Sequence, residues 1–175
     1  MDTSRTSSSA QRVLWIDLEM TQIENLRAGR IMEVAAIMTE PTWEPIQGSA
    51  FHRVVALSEE ELGKMSPWSR VHHQRPRNRD PARRSLVDLC RSSPYDMAAV
   101  DAQLAEMLDR FRDGDRVLIA GSSVHTDLVF VRQYMPKTAA RVHPYRTIDV
   151  TVFLEVGRRT YPGVDGILPR PRTTH

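Results

Sequence analysis

Asp17 and Glu19 are two acids one residue apart near the end of the run Val13-Leu14-Trp15-Ile16-Asp17-Leu18-Glu19-Met20-Thr21. If this run is a strand, side chains alternate faces, so both carboxylates project from one side while Ile16 and Leu18 project from the other. Gathering two like charges at one point is costly unless one is protonated or a cation lies between them. A hard divalent ion such as Mg²⁺ or Mn²⁺ suits oxygen donors and keeps positions open for water and phosphate oxygens. The alternative is that both acids are simply solvated where the strand emerges, since a D-x-E pair arises often by chance.

Those acids need a sheet and a covering layer to hold them. Residues 31–39 form a second apolar run, predicted to lie antiparallel to the first across a polar connection, and residues 44–56 read as a third strand completing a meander. Glu33 falls inside the second run and must find a partner: it either hydrogen-bonds near the metal or faces solvent at a sheet edge. Ser58-Glu59-Glu60-Glu61 is a capping-box pattern opening a short helix that Gly63 or Pro67 stops. Residues 74–84 carry five arginines against Asp80 with no apolar periodicity, which predicts an exposed loop, either merely solvated or touching phosphates. Met97, Val100, Leu104, Met107, Leu108 and Phe111 recur at three-four spacing and predict an amphipathic helix over 96–111. A short buried strand at 117–120, a helix over 128–135 stopped by Pro136, and a strand at 145–150 then make a βαβ unit. A further helix is expected at 152–159, before a Pro- and Gly-rich stretch from 161 onward.

A chain of 175 residues can bury one core but not two comfortable ones. Residues 1–11 read as a disordered tail and 12–175 as the folded domain. The single cysteine, Cys90, excludes an internal disulfide and suits a reducing compartment. No apolar run approaches a membrane span and nothing near the start resembles a secretory signal, so the expectation is an intracellular protein off the membrane, in the cytoplasm or alternatively in mitochondria. The net charge of +2 is small and arginine-dominated, with Lys64 and Lys137 the only lysines, and by itself does not mark a nucleic-acid binder.

Three segments taken together carry a resemblance: Trp15-Ile16-Asp17-Leu18-Glu19-Met20-Thr21, Gly121-Ser122-Ser123-Val124-His125-Thr126-Asp127 and Tyr145-Arg146-Thr147-Ile148-Asp149-Val150. They resemble oligoribonuclease, a family of 3′-to-5′ exoribonucleases in the DEDD superfamily. Tyr134-Met135-Pro136, Arg158-Arg159 and Tyr161-Pro162 agree with it in order and spacing. The resemblance implies a ribonuclease H-like α/β fold, a mixed five-stranded sheet flanked by helices with its site at the end of the first strand. It implies that Asp17, Glu19 and Asp127 hold two divalent metal ions, Mg or Mn. It further implies that Trp68 and His73 line a pocket for very short single-stranded RNA, from dinucleotides to a few nucleotides, with Ile23 replacing a leucine that wedges against a base. Ser123 matches a residue that caps the terminal phosphate, and Thr151 stands where the family has a serine in the same cap. Tyr145 and Arg146 match residues that reach into the neighbouring subunit's pocket of a homodimer, and His175 resembles the histidine that activates water. Each has a bland counterpart: Trp68 as core, His73 on the surface, Ser123 in a turn, Tyr145 and Arg146 as a strand end. His72 and His125 have no matching role.

The chain departs from that pattern in several places. The family's last motif is a histidine followed four residues later by a metal-binding aspartate near the start of a long helix, and this chain stops at His175. The expectation is therefore a domain truncated within its last motif, with the final helix missing, apolar surface exposed and hydrolysis impaired. Asp165, in the Pro- and Gly-rich stretch, is not assigned as a substitute. Gln22 stands in place of a glycine, Ser122 in place of an asparagine, one extra residue precedes Ile31, and the arginine-rich insert is additional. Two other functions remain open: a nuclease-fold fragment that binds short RNA or dimerises without cutting, and a haloacid-dehalogenase-type phosphatase in which Asp17 attacks phosphorus. The latter lacks a second aspartate and a well-placed lysine.

Overall fold

Leu14, Ile16, Leu18 and Met20 are buried along β1 (Val13–Met20), while Asp17 on the opposite face is exposed and Glu19 half-buried. The computed structural model describes residues 11–77, 80, 82–161 and 163, so the tail expected over residues 1–11, all but Gln11, and the terminal stretch with Asp165 and His175 lie outside the described residues. With β2 (Ile31–Thr39), β3 (Phe51–Val54), β4 (Val117–Gly121) and β5 (Val142–Asp149), β1 forms a mixed sheet in the order β3-β2-β1-β4-β5. The expected meander is present, with β1 antiparallel to β2 and β2 to β3, and β4 runs parallel to both β1 and β5.

The apolar face of β1 and its partners Val34, Ala36 and Met38 packs on α4 (Met97–Phe111) and α5 (His125–Tyr134), through Val100, Leu104 and Leu108 on one helix and Phe130 and Val131 on the other. Fully burying each such side chain contributes about 1.5–3 kcal/mol relative to leaving it exposed. A smaller cluster of Met32, Leu62, Met65, Leu86, Val87 and Cys90 sits under α1 (Glu59–Gly63) and α3 (Leu86–Ser92). Both halves of the capping box at Ser58 and Glu61 form, as expected.

Several elements differ from expectation for identifiable reasons. The third strand shrinks to four residues, because Pro45 offers only an isolated bridge to Thr39 and Gly48 turns the chain at φ +81°. Pro67 starts a helix rather than ending one: α2 (Pro67–His73) has Ser66 as N-cap and proline in its first turn, where a missing N–H costs nothing. Ser85 caps α3 by accepting the Asp88 N–H, a short helix that the arginine run ahead of it obscures. α5 begins three residues earlier than the apolar spacing indicates, which carries Asp127 into its first turn. Pro136 ends α5 and opens α6 (Pro136–Ala139), whose first N–H groups, on Lys137 and Thr138, donate to buried Asp101 at 2.9 and 2.8 Å. α7 (Val150–Thr160) buries none of its residues, and Val152, Phe153 and Val156 stand exposed. Among the described residues no helix is long and apolar enough to cross a membrane.

Cys90 is fully enclosed, its Sγ 3.6 Å from the Met32 carbonyl oxygen, and burial pushes its thiol up to about 12. Only the thiolate is nucleophilic. The native protein at pH 8 is expected to react negligibly with a disulfide thiol reagent and fully once denatured; prompt labelling of the native protein would contradict this packing.

Candidate active site

β1 and β4 stay paired only as far as Trp15 and Ala120. Gly121 then passes so close to β1 that a Cβ there would lie 2.8 Å from the Ile16 carbonyl oxygen, a contact only glycine permits. Past this point the two parallel strands part, and a crevice opens at their carboxyl ends, where open α/β sheets bind ligands. Asp17 and Glu19 stand on that free end of β1. On its other side β1 remains paired with β2, Asp17 opposite Ala35 and Glu19 opposite Glu33, up to an irregularity between Glu19 and Met20.

The third acid arrives from α5. Asp127 Oδ1 accepts the Leu18 N–H at 3.1 Å, inside the protein, which sets its carboxylate against the strand between Asp17 and Glu19. The consequence is electrostatic crowding. Burial, then the charges of Asp17 and Glu33, pushes Glu19 up to about 7. Burial pushes Asp127 up to about 7 as well, with the charges of Asp17 and Glu19 adding to it and the Leu18 N–H opposing it.

Glu33 is treated differently. It is 5% exposed, and its two oxygens receive Arg77 Nη1 at 2.6 Å and Nη2 at 3.1 Å, with His52 Nε2 on Oε1 as well. Burial raises this carboxyl, but Arg77 and His52 outweigh burial and hold it below its ordinary value. Glu33 therefore does not face solvent at an edge, and Arg77 is not a merely solvated member of the arginine-rich stretch. That pairing has no short-range signature, since 44 residues separate the partners.

Around the acids lies an open cleft of about 590 Å³, whose lining includes Asp17, Glu19, Asp127, Ile23, Trp68, His73, Ser122 and Ser123. Ser66, Ser69, Glu24 and Thr126 also line it, and small polar residues of that kind carry no distinguishing pattern in a sequence. α2 supplies the aromatic part. Trp68 is 65% exposed and stacks on His72, ring centroids 4.7 Å apart at 11°. His73 is buried with Nε2 3.6 Å from Glu19 Oε2, and burial, then the charge of His72, lowers it to about 4, so it is neutral near pH 7. Ser123 adopts φ +52°, in the left-handed region, and its N–H donates to Asp149 Oδ1 at 3.0 Å and Thr151 Oγ1 at 2.9 Å. Neither Lys64 nor Lys137 lines the cleft, and Lys64 Nζ is 2.9 Å from Glu60, which disfavours the phosphatase reading.

Over 163 residues the chain is 34% identical to a probable oligoribonuclease of Schizosaccharomyces pombe, covering 91% of this chain and 60% of that protein. It is 33% identical to the oligoribonuclease of Corynebacterium glutamicum over 162 residues, 93% of this chain and 69% of that one. The chain belongs to the oligoribonuclease family. No family model matches it. It spans less than two thirds of the length of the first of these relatives. Among solved structures, an exonuclease I from Methylocaldum szegediense superposes with a TM-score of 0.62 at 16% identity, covering 86% of this chain and 30% of that one, which shows the ribonuclease H-like fold.

Of the residues that the oligoribonuclease resemblance singles out, Asp17, Glu19, Asp127, Ile23, Trp68, His73 and Ser123 line one cleft. Thr151 does not line it; its Oγ1 stands behind the loop, 3.1 Å from Ser122 Oγ and 3.4 Å from Ser123 Oγ. Tyr145, 78% exposed, and Arg146 also lie outside the lining, on β5 beside His143. His175 lies outside the described residues. Among the described residues no three His, Cys, Asp or Glu side chains already close into a cation shell. The donor chemistry nevertheless fits a hard divalent ion, because Asp17, Glu19 and Asp127 present oxygens only and repel one another.

Asp127 titrates higher folded than unfolded, so the fold holds its proton more tightly. The stability this contributes is complete below the unfolded value of about 3.9. It is lost as pH rises through the folded value of about 7. In metal-free protein kept in EDTA, Asp127→Asn, which still accepts the Leu18 N–H, is expected to raise the melting temperature at pH 8 and leave it nearly unchanged at pH 4. Equal shifts at both pH values would show that the carboxylate is not crowded.

Proposed function

We propose that this cleft removes nucleotides from the 3′ ends of very short single-stranded RNAs by phosphodiester hydrolysis. The observation that carries the reading is the hydrogen bond from the Leu18 N–H to Asp127, which joins an acid from a distant helix to the pair on β1. Asp17, Glu19 and Asp127 would hold two divalent cations, Mg²⁺ or Mn²⁺. Such a pair supplies an activated water and takes up charge on the leaving oxygen. The chain's own groups then select and orient the substrate. Trp68, backed by His72, is a stacking platform for a base, and Ile23, 57% exposed at the cleft, packs against the next one. The Ser122 and Ser123 hydroxyls bind the terminal phosphate, with Thr151 and Asp149 holding their loop in place. A cleft of about 590 Å³ matches a dinucleotide better than a long strand. Neutral His73 accompanies Glu19 without competing for its charge. In a homodimer, Tyr145 and Arg146 complete the second subunit's pocket, and His175 takes the proton of the attacking water.

Binding of short RNA without cleavage is the second reading. The absence of a closed cation shell among the described residues favours it. Measuring binding and cleavage of a ribodinucleotide separately, with Mn²⁺ and with EDTA, distinguishes the two. Losing a partner of a metal ligand typically costs about 10–100-fold, so losing a ligand outright in Asp17→Asn or Asp127→Asn is expected to lower hydrolysis by more than about a hundredfold. Undiminished cleavage in EDTA or in either variant would overturn the hydrolytic reading, and binding without cleavage in the unaltered protein would establish the second.

A further inference from the structure

We infer that Arg77 is a positioning residue for the cleft: by fastening the chain just beyond α2 to Glu33, it sets how far the Trp68 and His73 wall stands from the carboxylate floor, and so sets nucleotide affinity. This rests on the proposed function, in which that wall stacks a base.

α2 has seven residues, too few to hold its place by helix propensity. Trp68 is largely exposed, and its ring neighbours are His72 and His73 of the same helix, so its position is inherited from α2 as a whole. The first turn of α2 is tied to the end of β1, where the Ser69 hydroxyl donates to the Met20 carbonyl at 3.1 Å and the Ser66 N–H to the Thr21 carbonyl at 2.9 Å. Arg77 ties the other end. Four residues past His73, its guanidinium makes two parallel bonds to Glu33, the residue directly opposite Glu19 in the sheet. The wall and the floor are thus referred to the same rung of the β1–β2 ladder. A forked pair of this kind fixes direction as well as distance, and a buried carboxylate escapes the screening that weakens surface pairs. An isolated bridge from Pro76 to Ser85 also sets the residue before Arg77 against the N-cap of α3. His52 remains on Glu33 when Arg77 is removed, which leaves the carboxylate one partner and the fold a means of tolerating the change.

The test uses the full chain, with diadenylate as probe and Mn²⁺ present. Arg77→Met is expected to raise KM about tenfold while kcat stays within about twofold, the pattern of lost binding rather than lost chemistry. Arg77→Lys, which keeps the charge without the fork, restores part of the loss. Amide hydrogen exchange quickens across α2 in Arg77→Met while β1 and β2 keep their protection. An unchanged KM, or KM and kcat worsening together with loss of sheet protection, overturns the inference. If Arg77→Met does not fold, the double variant Glu33→Gln with Arg77→Met is read in the same way, and its failure to fold overturns the inference too. An unaltered protein that neither binds nor cleaves diadenylate sinks the proposed function and the affinity claim together, whereas an active one with α2 exchange unmoved by Arg77→Met sinks only the clamp.

Discussion

Negative charge gathered at one end of β1 is the constraint around which the rest of this protein is arranged. Two like charges about 4 Å apart repel by about 4 kcal/mol at an effective dielectric of 20, and here four carboxylates share one region. The protein answers each differently. Glu33, the deepest in the sheet, is neutralised by Arg77, with His52 hydrogen-bonded to it as well. Asp17 keeps its access to water. Burial, then the neighbouring charges, drives Asp127 and Glu19 up to about 7; the Leu18 N–H beside one and the neutral imidazole beside the other do not offset it. Neutralising all four would have given a quieter core; neutralising only Glu33 leaves three oxygen-donor groups whose repulsion a cation relieves.

Convergence of those acids depends on a few backbone concessions. Gly121 must touch the Ile16 carbonyl for the β4–α5 connection to cross β1 at that level. Ser123 must take a left-handed conformation, unfavourable for a residue with a Cβ by about 1–2 kcal/mol. Asp149 offsets it: its Oδ1 receives the N–H groups of Ser123 and Thr151, and its Oδ2 lies 3.5 Å from His125 Nδ1. One carboxylate at the end of β5 therefore holds the loop, caps α7 and steadies the first turn of α5, from which Asp127 reaches Leu18. The placement of Asp127 thus depends on a second carboxylate, Asp149, that stands outside the cleft.

What the sequence makes legible follows from the range of the forces involved. The alternation of Leu14, Ile16 and Leu18 with Asp17 and Glu19, the three-four spacing of Val100, Leu104 and Leu108, and the capping box at Ser58 are local patterns, and each appears in the structure as the sequence implies. The meander and the parallel β4 and β5 follow from the same patterns plus connection lengths. α2 and α3 are hidden because Pro67 and the arginine run mask short helices whose stability comes from Ser66, Ser85 and tertiary contacts. The site divides in the same way. The acid motif is readable and resemblance supplies Asp127, Ile23, Trp68, His73 and Ser123, but Ser66, Ser69 and Thr126 have no signal, and the pairing of Glu33 with Arg77 is a long-range choice among many arginines that no local pattern distinguishes.

The anchoring of the cleft is uneven, and the unevenness follows the chemistry. Its acids are set by strand backbone and a buried hydrogen bond, since a shift of a fraction of an ångström changes whether oxygens can share a cation. Its aromatic side is a two-turn helix carrying an exposed tryptophan, a looser mounting that would suit the proposed stacking role, since stacking on a base face tolerates sliding. A wall packed as firmly as the floor would bury Trp68 against the protein itself and leave no face for a ligand. A wall with no tie at all would give up its spacing from the carboxylates. Two backbone-directed bonds at one end of α2 and one ionic fork just beyond the other lie between those limits.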